Sequence, residues 1–262
     1  MIDRKEFLLQ TIIQAYIQNL EPIGSTQLKS MYDISCSTAT IRGYFKKLGE
    51  EGYLLQEHIS SGRTPTSEAL KEYWSKRLNK KISNLKLEAI EYYALRADLS
   101  VFIKKENNGL LQEVSNLNDK YILLDFGTFA LNLKFSSALY RFLKDLIGLD
   151  LNFLQDVATQ VGANELRLEL LAYLQTQNTI KYNLKEFMKL ALKFDFNDSH
   201  IEQFLAGEIL DNCSEGIHCE SILPSGYMGV CNSCQIEGIE AKMLVVGELS
   251  KDYEYFYQGV VA

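Results

Sequence analysis

The chain has 262 residues, of which 47% are hydrophobic and 23% charged, and its formal net charge is −7. This length suffices for one large or two modest domains with a buried core, and the composition excludes a disordered, collagenous or fibrous protein. Every apolar run is shorter than a bilayer requires, and residues 1–10 mix acids with bases, as in an amphipathic helix rather than a signal peptide. We therefore expect a cytoplasmic protein without a membrane span.

The net charge hides an uneven distribution along the chain. Residues 1–81 contain 12 Lys and Arg against 9 Asp and Glu, a net charge of +3, whereas residues 82–262 contain 15 against 25, a net charge of −10. Neutralisation of phosphates supplies most of the non-specific affinity for DNA, so we expect nucleic-acid binding in the first part. Chance alone also produces such asymmetry, so the charge distribution does not by itself identify a nucleic-acid-binding protein.

Residues 1–81 predict a winged helix-turn-helix. Helical periodicity and capping residues indicate helices at about 3–19, 25–32 and 37–50, with Ser25 and Ser37 as N-caps. The apolar face of the first helix is expected to contain Leu9, Ile12, Ile13, Tyr16 and Leu20. A short strand at 53–59, a turn-rich segment at 60–65 and a helix at 66–78 follow, and the basic residues 76–81 mark the domain junction. Three helices followed by a small β element is the winged-helix order.

Residues 82–262 predict a second, α+β domain. Alternating apolar residues indicate strands at 121–126 and 129–135, joined at 127–128. Residues 137–206 read as several helices, strand patterns return at 220–223 and 243–246, and Ser250 is a candidate cap for a final helix. Strands on both sides of a helical block are typical of an α+β domain with a helical insertion.

The third helix contains the candidate DNA contacts. Ile41, Phe45 and Leu48 share one face and are expected to pack inward, so the opposite face is free to enter a major groove. We expect Thr40 and Arg42 to contact bases. The full set of candidates is Ser37 and Thr38 on phosphate, Thr40 and Arg42 on bases, Gly43 giving close backbone approach, Lys46 and Lys47 on the sugar-phosphate backbone, and Arg63 at the tip of the wing. The alternative for each cation is a solvated side chain on a helix face or in a surface turn.

These residues resemble the heat-inducible transcription repressors of the HrcA type. The matching motifs are Glu21-Pro-Ile-Gly-Ser25, Ser37-Thr-Ala-Thr-Ile-Arg42, residues 48–55 and His58-Ile-Ser-Ser-Gly-Arg-Thr-Pro-Thr66. A weaker match comprises Gly207-Glu208, Cys219-Glu-Ser-Ile222 and Val246-Gly-Glu-Leu-Ser-Lys-Asp-Tyr253. The sequence departs from the family at Gly43, where relatives commonly have Asn, and at Glu68-Ala-Leu-Lys71, and it is short for the family.

The resemblance implies a function and an architecture. It implies a negative regulator of heat-shock chaperone operons that binds an inverted-repeat operator as a homodimer and is released on heat stress. It also implies a GAF-like second domain with an inserted dimerisation region, placed here at about 137–206. The GroEL chaperonin is the implied partner that keeps such a repressor active.

The five cysteines leave a second interpretation open. An odd number, clustered late in the chain, is unlike a secreted disulfide framework and indicates reduced thiols. Cys231 and Cys234 have the spacing of a zinc knuckle, with Cys213 and Cys219 as a second ligand pair, but the gap between 213 and 219 is longer than usual. The alternative function is thus a ligand- or metal-sensing DNA-binding regulator.

Catalysis is not expected from this sequence. The three histidines, at 58, 200 and 218, do not lie in a recognisable acid–base or nucleophile motif, and Asp125-Phe-Gly127 reads as a strand that turns at glycine rather than as a kinase signature. We therefore expect a regulator that is not an enzyme and that uses no cofactor.

Overall fold

The computed structural model of the chain describes residues 4–58, 61–78, 85–105, 109–127, 129–177, 179–236 and 238–261. These residues form three units: an amino-terminal unit (4–78), a sheet unit (85–105 and 179–261) and an inserted unit (109–177). Within the described ranges, no helix combines the length and the apolar character that crossing a bilayer demands. The fold is α+β, with antiparallel sheets.

The amino-terminal unit contains four helices and a two-stranded ribbon. In chain order they are α1 (Arg4–Asn19), α2 (Ser25–Met31), α3 (Thr38–Glu50), β1 (Leu54–Leu55), β2 (Thr64–Pro65) and α4 (Ser67–Arg77). β1 and β2 pair antiparallel. A core of apolar residues joins the first three helices and β1: Leu8, Ile12, Ile23, Leu28, Ile34, Ile41, Phe45, Leu48 and Leu54. The predicted strand at 53–59 is thus limited to two residues, and Ile59 lies outside the described residues.

Capping residues define the helix boundaries in this unit. The Ser37 side chain accepts a hydrogen bond from the backbone amide of Thr40, and Thr66 accepts one from Ala69, which satisfies amides that lack a partner at a helix start. The prediction that Ser25 is the N-cap of α2 is wrong, because Gly24 occupies that position. Leu20 is 52% exposed at φ 55°, beyond the end of α1, so its prediction as an inner-face residue is wrong.

The sheet unit is built on five antiparallel strands in the order β7-β3-β10-β9-β8. The strands are β3 (Ser100–Lys105), β7 (Thr179–Tyr182), β8 (Gly216–Cys219), β9 (Tyr227–Ile236) and β10 (Ile239–Glu248). One face packs against α5 (Leu87–Arg96) and α12 (Tyr253–Val260). The other face packs against α9 (Leu184–Lys193), α10 (Asp198–Leu205) and α11 (Glu208–Asn212). Because helices cover both faces of the sheet, consecutive residues are buried at 100–103 of β3, 227–231 of β9 and 243–246 of β10.

The inserted unit lies between β3 and β7 and has a core of its own. It contains β4 (Glu113–Leu117), β5 (Tyr121–Asp125), β6 (Ala130–Lys134), α6 (Ser137–Lys144), α7 (Leu151–Gln160) and α8 (Asn164–Gln177). The structure therefore differs from the expected insertion at 137–206: the insertion begins before β4, includes a three-stranded sheet, and ends before β7. Helices α9 and α10 belong to the sheet unit, because Phe187 and Phe204 pack against Phe102 of β3.

Strand predictions are correct at 121–126, 129–135 and 243–246, the last of which lies within β10, and wrong at 220–223. Tyr121–Asp125 and Ala130–Lys134 pair as expected, although Thr128 of their connection lies outside the described residues. Residues 220–223 are irregular, and the strand before them is β8. The final helix is capped by Asp252, whose carboxylate accepts from the amide of Tyr255, and not by Ser250.

A buried tryptophan joins the amino-terminal unit to the sheet unit. Trp74 of α4 is completely buried, and its indole Nε1 donates a hydrogen bond of 2.8 Å to the carbonyl oxygen of Leu249. Its ring makes an edge contact with Tyr253 of α12 at a centroid distance of 5.4 Å. Ile13 and Ile17 of α1 belong to the same apolar cluster. The first two units are thus held together by core packing and not by a linker alone.

Replacing Trp74 with Phe should test this junction. Phenylalanine keeps a buried ring but removes the indole donor, which leaves the Leu249 carbonyl oxygen without its hydrogen bond and costs about 1–3 kcal/mol of unfolding free energy. Urea denaturation measures the effect. The matched control is Tyr92→Phe, a change on an exposed ring, which should stay within about 0.5 kcal/mol of the unmodified protein. Equal stability of both variants would show that the indole hydrogen bond does not stabilise the junction.

Candidate nucleic-acid interface

The apolar face of α3 determines which of its residues meet solvent. Ile41, Phe45 and Leu48 are buried in the core of the amino-terminal unit, as the sequence predicts. Since a helix repeats every 3.6 residues, positions on the opposite side of α3 point away from that core. The exposed residues are Ala39, Thr40, Arg42, Gly43, Lys46, Lys47 and Glu50. Every candidate on this helix except Thr38, which is half-buried, is therefore at the surface.

The amino end of α3 is closed by a hydroxyl pair. Ser37 Oγ lies 2.9 Å from Thr40 Oγ1 and accepts a hydrogen bond of 3.1 Å from the amide of Thr40. These bonds hold the first turn of α3 in shape and use part of the hydrogen-bonding capacity of both side chains. Both residues remain exposed, so each hydroxyl retains capacity for an external partner.

Arg42 is anchored by a residue that the sequence assigns to another role. Its Nε donates a hydrogen bond of 3.1 Å to Oγ of Ser25, at the start of α2. The predicted capping role of Ser25 is thus replaced by a side-chain contact across the two helices. A serine that follows Pro-Ile-Gly is typical of a helix N-cap. The sequence does not reveal that its side-chain partner, Arg42, lies 17 positions away.

The other charged and small residues of the face are open. The Lys46 side chain is 80% exposed, with Nζ 3.9 Å from Oε1 of Glu50, a distance at which a surface ion pair contributes little. Lys47 is exposed as well. A Cβ added at Gly43 meets no atom within 4 Å. Space therefore exists above the centre of α3 for a close-lying ligand.

The ribbon loop is fastened to the connection between α1 and α2. Arg63 and Ile23 exchange two backbone hydrogen bonds of 2.9 Å. A Cβ at Gly62 would lie 2.5 Å from the carbonyl carbon and oxygen of Pro22, so only glycine fits this close approach. Ser61 closes a turn with His58, whereas Ile59 and Ser60 lie outside the described residues.

Arg63 is not at the tip of the ribbon, although its position in the turn-rich segment predicts that placement. It directly precedes β2, its backbone is paired with Ile23, and the residue is half-buried. The turn between His58 and Ser61 lies farther along the loop. Any contact of Arg63 with DNA thus has to be made from the amino-terminal end of β2.

The cysteines do not form the predicted alternative metal site. Cys231 and Cys234 are three residues apart on β9, and because strand side chains alternate, they lie on opposite faces of the sheet. Cys231 packs with Cys213 in the core under α9 to α11, and Cys234 packs in the core under α5 and α12. Among the described residues, no group of three or more His, Cys, Asp or Glu side chains is placed to hold a metal ion.

Burial explains the state of these thiols. Desolvation raises the pKa of Cys234 to about 12. The hydrogen bond with Cys213, together with burial, raises the pKa of Cys231. At neutral pH both groups are thus neutral thiols, in keeping with their burial in the two apolar cores.

Comparison with known proteins identifies the family. The heat-inducible transcription repressors HrcA of Helicobacter pylori strains 26695 and J99 are 32% and 31% identical to this chain over 261 residues, which is 99% of this chain and 95% of each relative. The family described as HrcA C-terminal domain matches residues 74–262. These findings place the chain in the class of transcription repressors. Within that class it belongs to the HrcA family.

One solved structure shares the whole fold. A crystal structure described as that of a hypothetical protein superposes with a TM-score of 0.60, covering 98% of this chain and 94% of that chain at 20% sequence identity. At this level of identity the likeness concerns the fold alone.

Two glycines of the amino-terminal unit provide opposite predictions. Gly62→Ala should destabilise the protein by about 1–3 kcal/mol, because the new methyl group overlaps the backbone of Pro22. Gly43→Ala should stabilise it by about 0.5–1 kcal/mol, because alanine favours the helix interior and finds open space. Urea denaturation of both variants checks the pair. A stable Gly62→Ala protein would contradict the close packing of the ribbon loop on the α1–α2 connection.

Thiol labelling tests the cysteine assignment. Modification of Cys234 should stay slow from about pH 7 to about pH 10, since both burial and its pKa of about 12 keep the thiol neutral and inaccessible. Mass spectrometry of labelled peptides measures this, and denatured protein is the control that should label fully. Zinc that binds one per chain and is lost in both Cys231→Ser and Cys234→Ser would contradict the placement of these residues on opposite faces.

Proposed function

We propose that this protein represses heat-shock chaperone operons by placing α3 in the major groove of an inverted-repeat operator, as a homodimer that heat releases. Membership of the HrcA family supports repression. The observation that carries the DNA-binding part is the face of α3, where burial of Ile41, Phe45 and Leu48 leaves Arg42, Lys46 and Lys47 exposed together. The major groove is about 12 Å wide and admits a single helix.

Each residue of the face has a proposed role. Arg42 has the geometry to donate two hydrogen bonds to O6 and N7 of a guanine, and Thr40 reads a neighbouring base edge. Gly43 lets the helix backbone approach the bases. Ser37 and Thr38, at the positive end of the α3 dipole, hold a phosphate, and Lys46, Lys47 and Arg63 contact the sugar-phosphate backbone.

We interpret the amino-terminal unit as a winged helix-turn-helix. Helices α2 and α3 form the helix-turn-helix, and β1 and β2 form the wing, which the paired backbones of Ile23 and Arg63 hold beside α2. The domain boundary is proposed after residue 81, in the segment that follows α4, with the regulatory domain over 82–262. The regulatory domain is proposed to be GAF-like, supported by its antiparallel sheet with helices on both faces.

The dimer and the chaperonin contact are further parts of the proposal. An inverted repeat requires two copies of α3 related by a twofold axis. The inserted unit is the proposed dimer contact, because its residues Leu110, Ile147 and Phe153 are exposed although they are large and apolar. GroEL is the proposed partner that keeps the repressor active, as the family implies.

Replacement of Arg42 with Ala tests the role of α3. Loss of a bidentate guanine contact should weaken operator binding by about 1–3 kcal/mol, measured by fluorescence anisotropy at fixed salt, with little change on unrelated DNA. Arg96→Ala is the matched control, since Arg96 is an exposed arginine of α5 in the sheet unit, outside both the α3 face and the proposed dimer contact. Unchanged operator affinity in Arg42→Ala would remove this residue from the interface.

Lys46→Ala should behave differently from Arg42→Ala. A phosphate contact carries no sequence information, so both operator and unrelated DNA should bind more weakly, and the slope of log K against log salt should decrease by about 1. Titrations at several salt concentrations give this slope. A loss confined to the operator would move Lys46 from the phosphate contacts to the base contacts.

A further inference from the structure

Ser25 is the first residue of α2 and is buried, with 8% of its surface exposed. Its side chain does not cap the helix: Gly24 is the N-cap, and the side chain of Gln27 accepts a hydrogen bond from the amide of Gly24. The hydroxyl of Ser25 instead accepts from Nε of Arg42, over 3.1 Å. The buried hydroxyl of Ser25, at the start of α2, thus forms a hydrogen bond with a side chain of α3 instead of capping its own helix.

This bond constrains the guanidinium of Arg42. The guanidinium is planar, with donors in a rigid fork, so fixing Nε restricts the orientation of the whole group. Within the described part of the chain, the bond to Ser25 is the only hydrogen bond of the Arg42 side chain, and no ion pair involves it. Because Arg42 is exposed, its two terminal nitrogens, Nη1 and Nη2, stay available for an external acceptor.

We propose that Ser25 is a positioning residue for base readout: it holds Nε of Arg42 so that Nη1 and Nη2 form the fork that meets O6 and N7 of a guanine. The inference rests on the proposed function, in which Arg42 contacts a base. Its physical basis is preorganisation. A long side chain that is ordered before binding loses less conformational freedom on contact than one that has to be ordered by the DNA.

The position of Ser25 makes this role specific. It sits on α2, which packs against α3 through Leu28 and Ile41 in the common core. The distance between Ser25 and Arg42 is therefore fixed by buried aliphatic residues and not by a mobile loop. Ser25 itself is not required to touch DNA, and its effect on binding has to pass through Arg42.

A double-mutant cycle tests the proposal. Ser25→Ala, Arg42→Ala and the double variant are titrated with operator DNA and with unrelated DNA by fluorescence anisotropy, and thermal unfolding of each is recorded. Ser25→Ala should weaken operator binding about fivefold to tenfold and leave binding to unrelated DNA unchanged. In the Arg42→Ala background, Ser25→Ala should cause no further loss, and Ser25→Thr, which keeps the hydroxyl, should bind the operator more tightly than Ser25→Ala.

The outcomes separate this inference from the proposed function. If Arg42→Ala weakens operator binding but Ser25→Ala does not, the positioning role is overturned and the base contact stands. Equal losses from Ser25→Ala in both backgrounds, or equal losses on both DNAs, would show a merely structural role. If Arg42→Ala has no effect on operator binding, the base contact itself fails, and the positioning role fails with it.

Discussion

Burial of the apolar stripe of α3 against α1 and α2 is the contact on which the DNA-facing arrangement depends. Full burial of a side chain such as Ile41, Phe45 or Leu48 contributes about 1.5–3 kcal/mol each. Rotating α3 by half a turn would expose these three residues and bury charged side chains without partners, which is more costly still. The orientation of the helix, and hence the outward placement of Arg42 and Lys46, follows from the core and does not require DNA.

The parts of the structure that were predictable from the sequence are those determined by local patterns. The helices α1 and α3, the cap at Ser37 and the β5–β6 hairpin each follow from residues close together in the chain. Strands β3 and β9 were not predicted, because residues 100–103 and 227–231 are buried on both faces of the sheet and therefore lack the period-2 alternation of a half-exposed strand. The bounds of the insertion were wrong for a related reason: α9 and α10 are helical like α6 to α8, and only packing against Phe102 assigns them to the sheet unit.

Side-chain partnerships were less predictable than elements. Cys231 and Cys234 have the spacing of a zinc knuckle. Because β9 is extended, however, this spacing places their side chains on opposite faces of the sheet. Ser25 reads as a cap, but the packing of α2 on α3 brings it to Arg42. For the cysteines, the sequence does not reveal that the backbone between them is extended. For Ser25, it does not reveal that the partner is a residue distant in the chain.

The junction at Trp74 is a direct packing contact between the sheet unit and the amino-terminal unit, which carries the proposed DNA-binding face. Ion pairs at its rim, between Lys71 and Glu220 and between Arg77 and Glu254, are partly exposed and contribute little at physiological salt. The buried indole and the aromatic residues around Tyr253 therefore hold the two units together, and apolar packing does not weaken with salt as the proposed phosphate contacts would. A change in the packing of α12 on the sheet would reach α4 and α1 directly, since Ile13 and Trp74 share one core with Tyr253 and Phe256. Salt would thus act on the proposed DNA contacts, whereas a change in this core would act on the placement of the amino-terminal unit that carries the α3 face.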